Sequence, residues 1–293
     1  MLDSVTSSVD PNAFDWVFVS FSGGKDSVVV LHKALQVFPK HKVIPIFTDT
    51  GEELPETYRY VKWIDENVHP VIRVAQKLVS GTEERSRRTF ELIELSHDAP
   101  CTKDLGLMHL FTLFEERHEQ YPNTPFWPTK GIRYCTKHLK IIPFQKKIRS
   151  LVEKSMRDRV LVVLGLRQEE SAQRRNTQEL GFDPDTGWWE WCPAYDMTTD
   201  EVFQYHADHN LPINDVYTFR ERSNCVGCPF AKAAEMRRTF LIYPRLLQNY
   251  VDMEDRTGMT WGNGISLRDV VYGKASKERE AELLTCNSGY CDV

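Results

Sequence analysis

The stretch Trp16-Val17-Phe18-Val19-Ser20-Phe21-Ser22-Gly23-Gly24-Lys25-Asp26-Ser27-Val28-Val29-Val30-Leu31 joins two apolar runs through a glycine pair. A short apolar run, a tight glycine turn and a second apolar run starting behind Asp and Ser read as buried strand, loop and helix start. Adjacent glycines let the backbone turn sharply and approach a ligand closely. Amide N–H groups at such a turn and at the helix N-terminus can then face an anion. Lys25 adds a positive charge, Ser22 and Ser27 add hydroxyls, and Asp26 can hold the loop or help place a metal. Phosphate or pyrophosphate binding is the chemistry these residues imply. The spacing is neither that of a Walker A loop nor that of GxGxxG.

The remaining chain sets the frame. At 293 residues and 41% hydrophobic content, there is enough chain for one large α/β domain with a smaller extension. A net charge of −5 gives no sign of a nucleic-acid coat or a membrane-surface protein. The N-terminus lacks the basic and apolar regions of a signal peptide, and no apolar run approaches a membrane span, so the expectation is a cytoplasmic protein with no membrane partner. Seven cysteines in such a compartment read as thiols, metal ligands or catalytic groups.

Strand-like and helix-like segments alternate through the first half. Residues 16–21, 43–48, 71–74 and 160–164 read as strands, and residues 27–38, 55–67, 107–118 and 137–154 as helices, with Pro143 in or before a first turn. This order predicts a doubly wound, mostly parallel α/β sheet. Residues 1–180 would form the nucleotide-binding α/β domain, and residues 181–293 a C-terminal extension holding Cys225-Val226-Gly227-Cys228 and a Cys-containing tail. Within the extension, Trp188, Trp189 and Trp191 read as an aromatic, loop-rich stretch, Thr199 onward as a helix capped by Thr198 or Thr199, and Ala231 onward as another helix. Ligands on parallel sheets bind at the carboxyl ends of the strands. Three segments fall there: the Ser22–Ser27 loop, Asp49 and Thr50 after the second strand, and Gly165-Leu166-Arg167 after residues 160–164.

With these segments placed, the chain resembles the phosphoadenosine phosphosulfate (PAPS) reductase-like branch of the PP-loop ATP pyrophosphatase superfamily. The resemblance rests on an ordered set: Phe21-Ser22-Gly23-Gly24-Lys25-Asp26-Ser27, Thr48-Asp49-Thr50-Gly51-Glu52-Glu53, Arg133-Tyr134-Cys135-Thr136-Lys137-His138-Leu139-Lys140, Gly165-Leu166-Arg167, Pro193-Ala194-Tyr195-Asp196 and Asn224-Cys225-Val226-Gly227-Cys228-Pro229. It implies an adenine nucleotide, ATP with Mg2+ or PAPS, and sulfur chemistry with a sulfur donor or a thioredoxin-like protein. It also implies a homo-oligomer. Family reductases share a C-terminal Glu-Cys-Gly-Leu-His segment, whereas this chain ends Leu284-Thr285-Cys286-Asn287-Ser288-Gly289-Tyr290-Cys291-Asp292-Val293. That departure, with Cys135-Thr136-Lys137-His138 and a later Cys-x-x-Cys, is similar to the pyrophosphatases of DNA phosphorothioation, for which a nucleic acid is the acceptor.

The residues themselves leave choices open. Cys225 and Cys228 could grip a metal, form a redox dithiol or be buried structural thiols. With Cys135, placed there by the resemblance, they could hold a [4Fe-4S] cluster or Zn2+, the fourth ligand coming from Cys101, Cys192, Cys286 or Cys291. Cys286 and Cys291 read either as a catalytic nucleophile with its resolving partner or as two exposed thiols. Arg133, Lys137 and Lys140 suit a polyanion, whereas Lys146, Lys147 and Arg149 suit a solvated face. Arg167 suits bidentate phosphate binding or a salt bridge to a nearby Glu. Asp49 suits ribose or Mg2+ binding, or an Asx-turn. Arg85, Arg87 and Arg88 suit a loop closing over substrate or a solvated one. The leading expectation is an ATP pyrophosphatase or adenylating enzyme that cleaves between the α- and β-phosphates, with Lys25 and the loop amides stabilising the leaving group. The alternatives are a sulfonucleotide reductase and a non-catalytic nucleotide-binding module with a structural metal.

Overall fold

A computed structural model describes residues 9–79, 89–100, 105, 107, 109–121, 127–129, 132–171, 174–176, 178–261 and 265–273. Its strands are β1 (Trp16–Phe21), β2 (Val43–Thr48), β3 (Ile72–Val79), β4 (Thr89–Leu95), β5 (Val160–Val163), β6 (Leu180–Asp183) and β7 (Trp188–Trp191), and they form one sheet in the order β4-β3-β2-β1-β5-β7-β6. The five inner strands run parallel, while β4 and β6 pair antiparallel at the two edges. From β1 the chain moves outward to β2 and β3 on one side and later to β5 and β7 on the other. The crevice at the carboxyl ends of β1 and β5 is therefore the topological switch point, where ligands bind in open α/β sheets.

The central strands read as continuous apolar runs because both faces are covered. Val17, Phe18 and Val19 in β1 and Val160–Val163 in β5 are almost fully buried, each large side chain contributing about 1.5–3 kcal/mol. On one face lie α1 (Lys25–Val37), α2 (Pro55–Asn67) and α6 (Thr199–Asp208), packed on Val17, Val19, Phe21, Leu161 and Trp191. The other face carries Phe18, Ile46, Val162 and Trp188 against Phe144 and Ile148 of α5 (Ile142–Leu151). Alternation along β7 thus sends Trp188 and Trp191 to opposite faces.

The expected domain boundary at residue 180 falls inside this sheet, because β6 and β7 extend it past β5. What lies outside is a helical layer with its own core. There α3 (Leu110–Gln120) and the short helix α4 (Tyr134–Thr136) pack against α7 (Ala233–Ile242), α8 (Pro244–Thr257) and α9 (Leu267–Tyr272). The layer therefore combines residues from both sides of the expected boundary.

The helix expected over 137–154 begins earlier and is interrupted. Between α4 and α5, residues Lys137–Ile141 form a π turn. Pro143, in the first turn of α5, has no N–H to give the Leu139 carbonyl. A wider turn ahead of it accommodates that loss. Among the described residues no helix is long and apolar enough to cross a membrane.

Candidate nucleotide site

The loop 22–27 leaves β1 and enters α1 at the switch point. Gly23 has φ +71° and a Cβ there would stand 3.0 Å from Val61 Cγ2, so both conformation and space favour glycine. Gly24 is the extended N-cap of α1. Ser27 Oγ donates to the Gly24 carbonyl at 2.7 Å, and the Asn214 amide donates to the Gly23 carbonyl at 2.9 Å. The His206 ring Nε2 donates to the Lys25 carbonyl at 3.0 Å. These contacts engage the loop carbonyls, and the first amide of α1, that of Lys25, donates to the Tyr217 hydroxyl at 2.9 Å. The Asp26 and Ser27 amides that follow have no acceptors within the helix and are the ones available to an anion.

Lys25 and Asp26 form a braced pair. Lys25 Nζ lies 2.8 Å from Asp26 Oδ2 and over the rings of Phe203 and Tyr217, 5.9 and 5.8 Å from their centroids. Asp26 Oδ1 accepts from Arg167 Nε at 2.7 Å. The Arg167 guanidinium is 3% exposed and also donates to Glu169, the Met197 carbonyl and Thr199. Arg167 thus works from behind, fixing Asp26 and through it Lys25, and the salt bridge read as its alternative role is present. Gly165 closes the brace. A Cβ there would lie 3.2 Å from the Asp26 backbone carbon and 3.3 Å from the Ser27 nitrogen.

Two cavities meet at this loop. One, of about 710 Å3, is lined by Lys25, Asp26 and Arg167 with Arg174, Arg222 and Tyr217. Its outer wall carries both signs: Arg174 and Arg222 share Glu170, Glu169 and Glu221 also line it, and burial followed by the nearby charges of Arg222 and Arg133 pushes Arg174 below its ordinary value. The other, of about 500 Å3, opens between the sheet and α5 and is lined by Phe47, Ile141, Phe144, Val162, Leu164 and Trp188. Ser20, Ser22, Leu164, Leu166 and Ser223 border both.

The far end of the apolar cavity holds Cys225, Lys140 and Glu53. Burial pushes the Cys225 thiol up to about 12, while the Lys140 ammonium pulls against it. Lys140 is itself raised, first by Cys225 and then, against burial, by Glu53, Cys228 and Cys135. Burial followed by the Asp49 charge lifts Glu53 to about 7. The Cys225–Cys228 turn is held by buried Arg220, which donates to the carbonyls of Asn224, Cys225 and Val226. Gly227 lies against Tyr250, where a Cβ would come within 1.9 Å of Cε1.

The three cysteines expected as metal ligands are thus neighbours around one ammonium. Among the described residues, however, no group of three or more His, Cys, Asp or Glu side chains stands at metal-holding spacing, so the chemistry proposed below runs through no metal–sulfur group. Cys192 is buried, pushed up to about 12 first by burial and then by Glu190 and Glu179. Cys101, Cys286, Cys291, Arg85, Arg87 and Arg88 lie outside the described residues.

Other expected site residues are placed differently. Asp49 lines neither cavity. Its carboxylate accepts from the Gly51 amide and the Tyr58 hydroxyl, both at 2.8 Å, and pairs with buried Arg73 at 2.6 Å, which is the Asx-turn arrangement reinforced by an ion pair. Thr50 donates its N–H and its hydroxyl to the Glu53 carboxylate, and its Oγ1 lies 3.5 Å from Cys225 Sγ. Of the basic trio, Lys140 lines the apolar cavity, and Arg133 and Lys137 line neither of these two cavities. Arg133 is exposed and stacks on Phe230, 4.5 Å from its centroid, and Lys137 is exposed. Phe203, His206, Asn214, Tyr217, Arg220 and Arg222 belong to the site without any sequence motif that marks them. They reach the loop from about 180 residues away in the chain, and only Trp-, Cys- and charge-rich signals around them were visible.

Residues 16–97 and 99–231 match the family of the phosphoadenosine phosphosulfate reductase domain, and the chain belongs to that family. Among curated relatives, an adenosine 5'-phosphosulfate reductase of Bacillus cereus is 27% identical over 214 residues, covering 73% of this chain and 72% of the relative. An uncharacterised protein of Escherichia phage 186 is 24% identical over 254 residues, covering 80% of this chain and 73% of the relative. The solved PAPS reductase of Candida auris, in complex with phosphate, aligns over 70% of this chain and 78% of its own, with a TM-score of 0.42 and 16% identity.

Proposed function

We propose that the protein binds ATP with its polyphosphate on the 22–27 loop and cleaves it between the α- and β-phosphates, activating an acceptor for sulfur transfer. One observation carries this reading: a charged, polar cavity that holds Lys25 and several arginines and an apolar, aromatic-walled cavity meet at a single glycine loop. A nucleotide has the same division into polyanionic tail and flat heterocycle. The acceptor forms a bond to the α-phosphorus as the α–β bridging bond breaks, and the electron pair leaves with pyrophosphate. Lys25 and the amides of α1 stabilise the negative charge that builds on the leaving group, and Mg2+ arriving with the nucleotide neutralises part of it. Asp26 and Arg167 hold Lys25 in place. An acceptor of the DNA phosphorothioation type fits this chemistry.

A second reading is sulfonucleotide reduction, favoured by the named activity of the Bacillus relative. In it a thiolate, Cys286 or Cys291, attacks the sulfuryl sulfur and the nucleotide leaves. The second thiol then displaces sulfite, and a thioredoxin-like protein reduces the resulting disulfide.

Anaerobic protein incubated with ATP, adenylyl sulfate or PAPS, Mg2+ and a thioredoxin reducing system separates the two, with products resolved by chromatography. AMP and pyrophosphate from ATP are expected. Sulfite with AMP or adenosine bisphosphate transfers the assignment to reduction. Failure to bind or turn over any of the three overturns both.

A further inference from the structure

The Tyr217 side chain carries a donor that none of the roles above employs. It sits on the 3-10 turn Asp215–Thr218 and lines the basic cavity. Its oxygen accepts the Lys25 backbone N–H at 2.9 Å, and the Ser223 backbone N–H approaches the same oxygen. A phenol has two acceptor positions and one proton. With both acceptor positions turned to amides, its O–H has to point elsewhere. Among the described residues no hydrogen bond runs from that O–H to a protein acceptor; the hydrogen bond at this oxygen is the one it accepts from Lys25. The hydroxyl lies against Gly24, 3.2 Å from where a Cβ would stand, and both residues line the cavity at the loop. The ring is fixed edge-on to Phe203 at 5.9 Å, beneath the Lys25 ammonium.

We propose that the Tyr217 hydroxyl donates a hydrogen bond to a phosphoryl or sulfuryl oxygen of the anion seated on the 22–27 loop, as an additional anion-binding residue of that site. The proposal rests on the nucleotide reading above. Burial holds the phenol up at about 12, so it remains a donor throughout the neutral range. It supplies a neutral donor at a point where Lys25 and the arginine wall already supply charge. A hydrogen bond to a charged group is a strong one, and its loss weakens binding by about tenfold to a hundredfold.

The test is calorimetric titration of the full chain with inorganic pyrophosphate, and separately with uncharged adenosine. Tyr217→Phe is expected to weaken pyrophosphate about tenfold or more and leave adenosine affinity unchanged. A role confined to bracing the Lys25 and Ser223 amides would lower the melting temperature and spare the selectivity between the two ligands, and that result overturns the proposal. A ring-fluorinated tyrosine at position 217 keeps shape and acceptor capacity but acidifies the phenol. Its pyrophosphate affinity should fall as pH rises through the fluorophenol's ionisation, while the unmodified protein's does not; a flat response also overturns the proposal. If the unmodified protein binds adenosine but not pyrophosphate, the loop assignment fails with it. If pyrophosphate binds and both variants match it, the loop stands and only Tyr217's role is lost.

Discussion

Replacing Gly165 by Ala tests the brace behind the anion loop without removing any polar group of the site. The new Cβ would stand 3.2 Å from the Asp26 carbonyl carbon, 3.3 Å from the Ser27 nitrogen and 3.4 Å from Asp26 Cβ. Two of these neighbours are backbone atoms in the first turn of α1, so relief requires the loop and the β5 exit to separate by a few tenths of an ångström. Overpacking of this kind costs about 1–3 kcal/mol. Part of that cost will appear as lower stability, and part as displacement of the Asp26 and Ser27 amides from the ligand. Since a misplacement of about 1 Å can cost a hundredfold in rate, a shift of a few tenths should weaken ATP binding by roughly threefold to tenfold. The assay pairs calorimetric ATP titration with a thermal melt. Gly181→Ala is the control, because a Cβ there meets only Gln178 Oε1 at 3.5 Å. If Gly165→Ala matches the unmodified protein in both melting temperature and ATP affinity, β5 does not press on the loop as described and the reasoning fails.

Gly227→Ala should disrupt the helical layer, because the new methyl would overlap the Tyr250 ring; urea unfolding is expected to show a loss of about 3 kcal/mol or more, and a loss below 1 kcal/mol would refute the packing. Glu53 is neutral in both states below its unfolded value of 4.5, and as pH rises toward about 7 the unfolded chain ionises first, so the fold loses stability over that window and does not recover it above. Glu53→Gln should flatten this loss, by up to about 3 kcal/mol in urea unfolding at pH 8; an unchanged pH profile would count against it. Lys140→Met removes the charge that opposes burial at Cys225, so alkylation of Cys225 by iodoacetamide, followed by peptide mass spectrometry, should slow at pH 8. An equal or faster rate would show that the ammonium does not act on this thiol.

The parallel half of the fold was legible because its signals are local. Residues 16–31 carry a buried strand, a glycine turn and a helix start in contiguous sequence, and 55–67 and 43–48 match α2 and β2. The edges were not. β4 places Phe90, Leu92 and Glu94 on one side and Glu91, Ile93 and Leu95 on the other, so neither side is uniformly apolar and the alternation carries no strand signal. Trp188–Trp191 reads as loop because a strand of four residues between turns has little periodicity of its own. In the site, the loop itself and Lys140 could be found from residue type and spacing. The support for Lys25 could not: Arg167, Phe203, His206, Asn214 and Tyr217 converge through tertiary packing. Asp49 illustrates the reverse case. Its position after β2 suggests a ligand contact, but the buried partner Arg73 lies one strand away, and only the fold brings the two together.

Release of pyrophosphate from ATP, measured anaerobically with Mg2+ for the unmodified protein and for Lys25→Ala, tests the central claim most directly. Lys25 is an ammonium held against the loop by Asp26 and two aromatic rings, and removal of a preorganised stabiliser of leaving-group charge costs about a hundredfold or more in rate. The account predicts pyrophosphate release by the unmodified protein and its loss, by at least that factor, in a Lys25→Ala protein that still melts cooperatively. Full activity in the folded variant would contradict it.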